Sequence, residues 1–225
     1  MIRTPLTLLT LAILVTPAAQ AQESARERAQ RTLPADVFAN VSALAADGSS
    51  SGIPDGPLFN KALEGMAKRV PMDRLMPAIE ALAGRLGQAR NAFGPTAAVP
   101  LLVAGADALQ RGVPADALRS LDSEATRSPT AVLVLTELHD AGVPTDRALA
   151  VLREATAQRT REDRMLDIPA NVRRLIREGR PPSDAADQVR RGLQRGRGNG
   201  GVGPPVPPGS EPATDRVSPT RPRGG

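Results

Sequence analysis

Apolar residues recur at helical spacing through most of the chain between residues 33 and 195. Leu75, Ile79, Leu82 and Leu86 are separated by steps of four, three and four, which places them on one side of a helix. Three further segments repeat this spacing: residues 118–125, 148–155 and 186–193. No segment shows a sustained alternation typical of strands, so the pattern predicts an all-α fold.

One segment is apolar all round. Residues 131–135 read Ala-Val-Leu-Val-Leu, which alone fits either a strand or a buried helix. Ser128-Pro129 precedes the segment as a helix start, and Leu138 extends the apolar run beyond it. These flanks favour a helix that is central and buried.

A short motif recurs between the predicted helices, in which proline is followed two positions later by aspartate. Proline suits the first position of a helix, because its missing N–H would have no partner there, and aspartate in the first turn meets the positive end of the helix dipole. Glycine lies just before three of these turns, where a helix end favours a residue that tolerates positive φ. The motif is complete at Pro71, Pro114, Pro144 and Pro182 and degenerate at Pro54 and Pro169, and the glycines are Gly112, Gly142 and Gly179.

These turns predict an irregular array of helical hairpins, either a short solenoid or a bundle. The best-matched pair of hairpins covers residues 95–125 and 129–155, but the spacing of the prolines is too irregular for a tetratricopeptide, HEAT or armadillo array. Pro77 and Pro100 would each remove an interior helical hydrogen bond, so we expect kinks or helix restarts there.

Both ends of the chain differ from this helical body. Residues 1–21 combine Arg3, an uncharged apolar stretch from Leu6 to Val15 and the small-x-small sequence of residues 19–21, which predicts a cleaved signal peptide and export to the periplasm or beyond. Residues 22–32 are polar and are expected to fray or to form an isolated helical turn. Residues 33–195 are predicted to form the helical domain. Residues 196–225 are rich in Gly, Pro and Arg and are predicted to be a disordered tail.

Composition excludes several classes of chemistry. The 225 residues contain no Cys, one His and three aromatic residues, all of them Phe. Cysteine nucleophiles, redox pairs, zinc clusters and iron–sulfur sites therefore lack their reactive groups or ligands. Stacking platforms for single-stranded nucleic acid lack their rings, which argues against nucleic acid as a partner. The sequence indicates no catalytic residue, no cofactor site and no metal site.

Two weaker catalytic hypotheses remain. His139, the one imidazole, could serve as a general base for Ser120 or Ser128, but its place at a helix end favours a purely structural role. Close carboxylate pairs could support a hydrolase, although most lie where solvated helix faces carry charge. These pairs are Asp122 with Glu124, Glu162 with Asp163, and Asp184 with Asp187.

Charge is unevenly distributed along the chain, whose formal net charge is +5. Residues 32–157 carry 11 basic and 14 acidic side chains, whereas residues 158–225 carry 14 basic and 8 acidic ones. A basic C-terminal arm could bind anionic lipid head groups or envelope polymers through bidentate guanidinium contacts, while the simpler interpretation is a solvated surface. The possible anion-binding residues are Arg173, Arg174, Arg177, Arg190, Arg191, Arg195 and Arg197.

The sequence therefore favours an exported, non-enzymatic helical module that binds a protein or peptide partner in the bacterial cell envelope, with no transmembrane segment after signal cleavage. This preference rests on the grooves that helical hairpin arrays expose. The alternatives are an envelope polyanion-binding protein that uses the basic arm and a carboxylate-dependent envelope hydrolase.

Overall fold

The computed structural model describes residues 24–121 and 126–195, and these residues form ten helices and no strand. The all-α fold is therefore confirmed. The predicted signal peptide and the predicted tail lie outside the described residues. The helices are α1 (Ala25–Thr32), α2 (Ala35–Ser50), α3 (Gly56–Ala67), α4 (Met72–Phe93), α5 (Val99–Gln110), α6 (Ala115–Arg119), α7 (Pro129–Asp140), α8 (Thr145–Ala157), α9 (Glu162–Arg177) and α10 (Pro182–Arg195).

The polar segment before residue 33 is a packed helix, so the expectation of a frayed segment is wrong. Ser24 caps α1: its hydroxyl accepts the Glu27 N–H at 3.2 Å, and the Glu27 carboxylate accepts the Ser24 N–H at 2.9 Å. This reciprocal pair satisfies two N–H groups that a helix start otherwise leaves free. Ala29 is fully buried, and α1 packs on α2 and α3. The helix is held in place by its cap, by the burial of Ala29 and by the Arg28 guanidinium, which donates to the Asn60 side-chain oxygen at 3.2 Å.

The predicted turns form with one shift in register. Gly112, Gly142 and Gly179 have φ of 90°, 78° and 91°. In each turn the glycine and the residue after it donate N–H groups back to the last helical turn, as Gly142 does to His139 and Val143 to Leu138, at 2.9 and 3.0 Å. Pro114 and Pro144 stand at the helix cap and not inside the first turn, and their carbonyls accept the first helical N–H groups.

Two further turns place arginine where the others use glycine. Arg69 and Arg159 have φ of 54° and 51°, and the residues that follow them, Val70 and Thr160, donate to Gly65 and Ala155 in the same way. A side chain with a Cβ is strained in this left-handed region.

Substitutions at two left-handed positions should therefore shift the free energy of unfolding in opposite directions. Arg159→Gly removes the strain and should stabilise the protein by up to about 1 kcal/mol. Gly142→Val introduces this strain and should destabilise the protein by about 1 kcal/mol or more. The cost is due to the backbone alone, because a Cβ there meets only Pro182 Cγ at an ordinary 3.7 Å. Asp146→Ala, in the same turn, should cost only about 0.3–1 kcal/mol. Urea unfolding of the three variants measures the difference, and equal changes would contradict the turn geometry.

The remaining prolines behave differently from one another. Pro100 lies in the first turn of α5, so a helix starts there as predicted. Pro77 and Pro169 lie inside α4 and α9, which continue through them. The interpretation of Pro169 as a degenerate turn is therefore wrong, and of the kink or restart expected at Pro77 the restart is wrong. Both prolines lie beyond the first turn, so each removes one interior hydrogen bond, a loss that the packing of its helix outweighs.

The described chain divides into two compact units, with the division after Gly87, within α4. In the first unit α3 packs on α1 and α2. Phe59 is fully buried, and its ring stacks on that of Phe38 with centroids 5.6 Å apart. Gly65 admits the buried side chain of Leu75 against the backbone of α3.

The second unit contains three successive pairs of helices: α7 with α8 and α9 with α10 are packed hairpins, whereas α5 is followed by the five-residue α6. The first helices pack side by side, α5 on α7 and α7 on α9, and we call them row A. Among the second helices α8 packs on α10. Arg147 pairs with Asp187 at 3.1 Å, and Glu154 accepts a hydrogen bond from Gln194 at 2.8 Å, so α8 and α10 run parallel. This arrangement is the short solenoid form of the predicted array.

The helix that contains the all-apolar segment is α7, and its burial is incomplete. Val132 and Val134 are fully buried as predicted, but Leu133 is 41% exposed. No helix within residues 24–121 or 126–195 combines the length and the apolar character needed to cross a bilayer.

Candidate interaction surface

Large apolar side chains are exposed on all three helices of row A. The exposed fraction is 46% for Val99 and 41% for Val103 on α5, 41% for Leu133 on α7 and 49% for Leu166 on α9. Single exposed apolar residues are common, but exposed residues on adjacent helices of one row mark a surface suited to binding.

The turn glycines show how these residues line up. Val103, Leu133 and Ala170 each lie nine residues before the glycine of their turn, and all three are exposed. A second set, Val99, Pro129 and Leu166, lies thirteen residues before the same glycines and is exposed as well. Positions four apart on a helix share a face, so the six side chains form two lines that cross the three helices. We call these six residues the apolar patch.

A groove runs between α7 and α9 in the middle of this patch. Its volume of about 230 Å³ is below the range of small-molecule sites but large enough for side chains of a docked segment. It is lined by Leu133, Val134, Glu137, Leu166, Pro169, Ala170 and Arg173.

A ladder of alternating charges borders the groove and joins the three helices. Arg111, at the end of α5, contacts Glu137 and Asp140 of α7 at 2.9 and 2.7 Å and Asp107 of its own helix at 3.5 Å. Glu137 also pairs with Arg173 of α9. The contacts join the C-terminal ends of neighbouring helices, so row A is parallel and its ends are held in register.

Electrostatics keep this ladder ionised. Hydrogen bonds from Arg173 and then from Arg111 hold the pKa of Glu137 below its ordinary value. The hydrogen bond to Glu137 raises the pKa of Arg111. Carboxylates from two helices converge here, but they surround a guanidinium that neutralises them. A carboxyl with a lowered pKa is also a poor general acid. This does not favour the hydrolase hypothesis.

The lowered pKa predicts how stability depends on pH. The Glu137 ion pairs contribute fully above the unfolded pKa of about 4.3, and the contribution is lost as pH falls through the lower folded pKa. Glu137→Gln should therefore be less stable than the native chain at pH 7, and the difference should shrink towards pH 3. Urea unfolding at both pH values measures it. A difference that grows on acidification would contradict the ion-pair arrangement.

The arginines proposed for anion binding do not form one cluster. Because α9 and α10 form a hairpin, Arg174 and Arg177 lie at its turn end, whereas Arg191 and Arg195 lie at the opposite end. Arg173, Arg174 and Arg190 pair with Glu137, Glu178 and Asp187. Within the described chain Arg177, Arg191 and Arg195 have no ion pair, and Arg197 lies outside the described residues. This scattered arrangement does not favour a polyanion site.

The geometry does not favour a pairing of histidine and serine. His139 and Ser128 stand at opposite ends of α7, about 16 Å apart along the axis. The Ser120 hydroxyl donates to the Asp116 carbonyl at 2.8 Å. His139 lies instead beside the Gly112 turn, with Nε2 3.5 Å from the position of a Cβ there.

One member of each acidic pair within the described residues forms an ion pair. Asp163 pairs with Arg161, and Asp187 pairs with Arg147 and Arg190. Asp122 and Glu124 lie outside the described residues. Among residues 24–121 and 126–195, no group of three or more acidic or His side chains could hold a metal ion.

Sequence reasoning missed the apolar patch, although a signal was present. Aligning the three repeats on Gly112, Gly142 and Gly179 shows apolar residues at two positions outside the buried stripe. No protein-family model, curated protein or solved structure matches this chain.

Proposed function

We propose that this chain is a non-enzymatic interaction module of the bacterial cell envelope, which binds an amphipathic helix of a second protein through the apolar patch. The observation that supports the proposal is the double line of exposed apolar side chains across three parallel helices. Solenoid surfaces of this kind take helices that present apolar residues at spacings of three and four.

Charge complementarity indicates the chemistry of the partner helix. On α9 the apolar Leu166 and Ala170 lie between acidic Glu162 and Asp163 at one end and basic Arg173 at the other. A helix that lies antiparallel to α9 would therefore carry acidic residues at its N-terminal end, facing Arg173, and basic ones at its C-terminal end. Rim charges of this kind fix orientation more than affinity.

Crosslinking in living cells tests the proposal directly. A photo-crosslinking residue at position 133 should capture the partner, and Leu166→Glu in the same chain should abolish capture. The control position is 153, where Arg153 is exposed on α8, away from row A. Peptide mapping should place the crosslink in an amphipathic helix of the stated charge order. Equal adducts from positions 133 and 153, or adducts unaffected by Leu166→Glu, would refute the proposal.

Export belongs to the same proposal and rests on residues 1–21. The intact mass of the protein from an envelope fraction should correspond to a chain that begins at Gln22. A cytosolic protein that retains Met1 would exclude an envelope partner and leave the surface to a partner inside the cell.

A further inference from the structure

The exposed face of α9 is complementary to itself. Glu162 and Asp163 lie in the first turn, Leu166 and Ala170 in the middle, and the basic side chains towards the end. At about 100° per residue these positions, with Arg173 and Arg174, fall within about 120° of the helix circumference. All six are exposed.

When two such helices pack antiparallel, the side chains that face each other are complementary along the whole contact. If a two-fold axis crosses α9 midway between Leu166 and Ala170, Leu166 of each copy faces Ala170 of the other. On the same axis Asp163 faces Arg173, and Glu162 faces Arg174. Each pair joins opposite charges or two apolar residues, and symmetry supplies each pair twice, as an isologous interface requires.

We infer that a second copy of this chain is a partner of the apolar patch, with α9 packed antiparallel on α9. The inference rests on the proposed function, since it uses the same surface. The α9 helix of the second copy has the charge order expected of the partner helix, acidic at its N-terminal end and basic at its C-terminal end.

The groove beside α9 receives the apolar centre of this contact. Leu166 of the second copy meets Ala170, whose small side chain lines the groove together with Leu133 and Pro169. Most of the charged side chains already have a neighbour, since Arg173 pairs with Glu137, Arg174 with Glu178 and Asp163 with Arg161. Glu162 has no ion pair within the described chain, so it gains most from the second copy.

The size of the contact sets its strength. One helix face and part of α7 are expected to bury less than the roughly 1,200 Å² of a standard interface. The dimer is therefore weak and depends on protein concentration, which leaves the patch available to a heterologous helix when the chain is dilute.

Charge exchange at positions 162 and 174 tests the pairing. Sedimentation equilibrium of the whole chain should show a concentration-dependent dimer. Glu162→Arg and Arg174→Glu should each weaken association at least about tenfold, because each sets like charges against each other twice. Arg153→Glu, which changes a charge on α8, should leave association unchanged.

Mixing the two single variants is a more specific test of the pairing than either variant alone. In a mixed dimer of the two single variants, the basic side chain introduced at position 162 faces the acidic one introduced at position 174. The native Arg174 and Glu162 face each other as before. The mixture, and the double variant E162R/R174E alone, should therefore recover native association. Failure of both to recover it, or native association in the single variants, would overturn the inference.

The two proposals can fail separately. A chain that stays monomeric at high concentration, yet is crosslinked through position 133 to another protein, overturns the dimer and supports the heterologous partner. A dimer that obeys the charge exchange, with no heterologous adduct from position 133, supports the dimer and overturns the proposed helix partner.

Discussion

Phe59→Ala is expected to lower the free energy of unfolding of the first unit by about 3–5 kcal/mol, the range for truncating a large core side chain. The ring is fully buried and stacks on Phe38, and the guanidinium of Arg26 lies 5.6 Å from its centroid. With only three aromatic residues in the chain, no other ring is available to fill the cavity beside Phe38.

Hydrogen exchange of amides in α1–α3 measures this loss. The control is Met72→Ala in the same unit, where the native side chain is 36% exposed and truncation should change stability by about 0.5 kcal/mol or less. Similar losses in the two variants would mean that Phe59 is not the centre of this core.

Leu138→Ala should destabilise the second unit by about 2–5 kcal/mol, whereas Leu133→Ala should change its stability by no more than about 0.5 kcal/mol. Both residues belong to α7, but Leu138 is 0% exposed and Leu133 is 41% exposed. The large effect arises because truncation of Leu138 leaves a cavity near the end of α7, next to the turn that follows the helix.

Urea unfolding of the two variants gives the comparison. A large cost at position 133 would show that the outer face of row A is covered and would remove the surface on which the proposed function depends. A small cost there means that Leu133 contributes to binding without being needed for folding.

The turns could be predicted from sequence because their causes are local. Gly142 takes positive φ, and the backbone N–H groups of Gly142 and Val143 donate to carbonyls of the preceding helix. Asp146 lies in the first turn of the next helix, so all these features fall within a few residues. Arg69 and Arg159 adopt the same conformation without the expected glycine, because hydrogen bonds and packing of the flanking helices outweigh the strain of one residue. Composition alone gives no sign of this exchange.

The surface could not be predicted in the same way, because exposure depends on what lies opposite each helix. The apolar run around Leu133 predicts burial on every side, yet row A is one layer deep and leaves one side of α7 uncovered. The arginines from Arg173 to Arg195 are close in sequence, but the turn between α9 and α10 sends Arg177 and Arg191 to opposite ends of the hairpin. Neither arrangement can be read from neighbouring residues alone.

The nearest-neighbour packing of the second unit also sets how this protein responds to tension. Within the described chain the last pair of helices, α9 and α10, packs mainly on α7 and α8 and on each other. Pulled from its C-terminal end, the unit should release this pair first and the α7–α8 pair afterwards. Release of residues 162–195 would add roughly 110–120 Å of chain at about 3.4 Å per residue. A module attached at both ends would thus lengthen in steps and keep its remaining pairs folded.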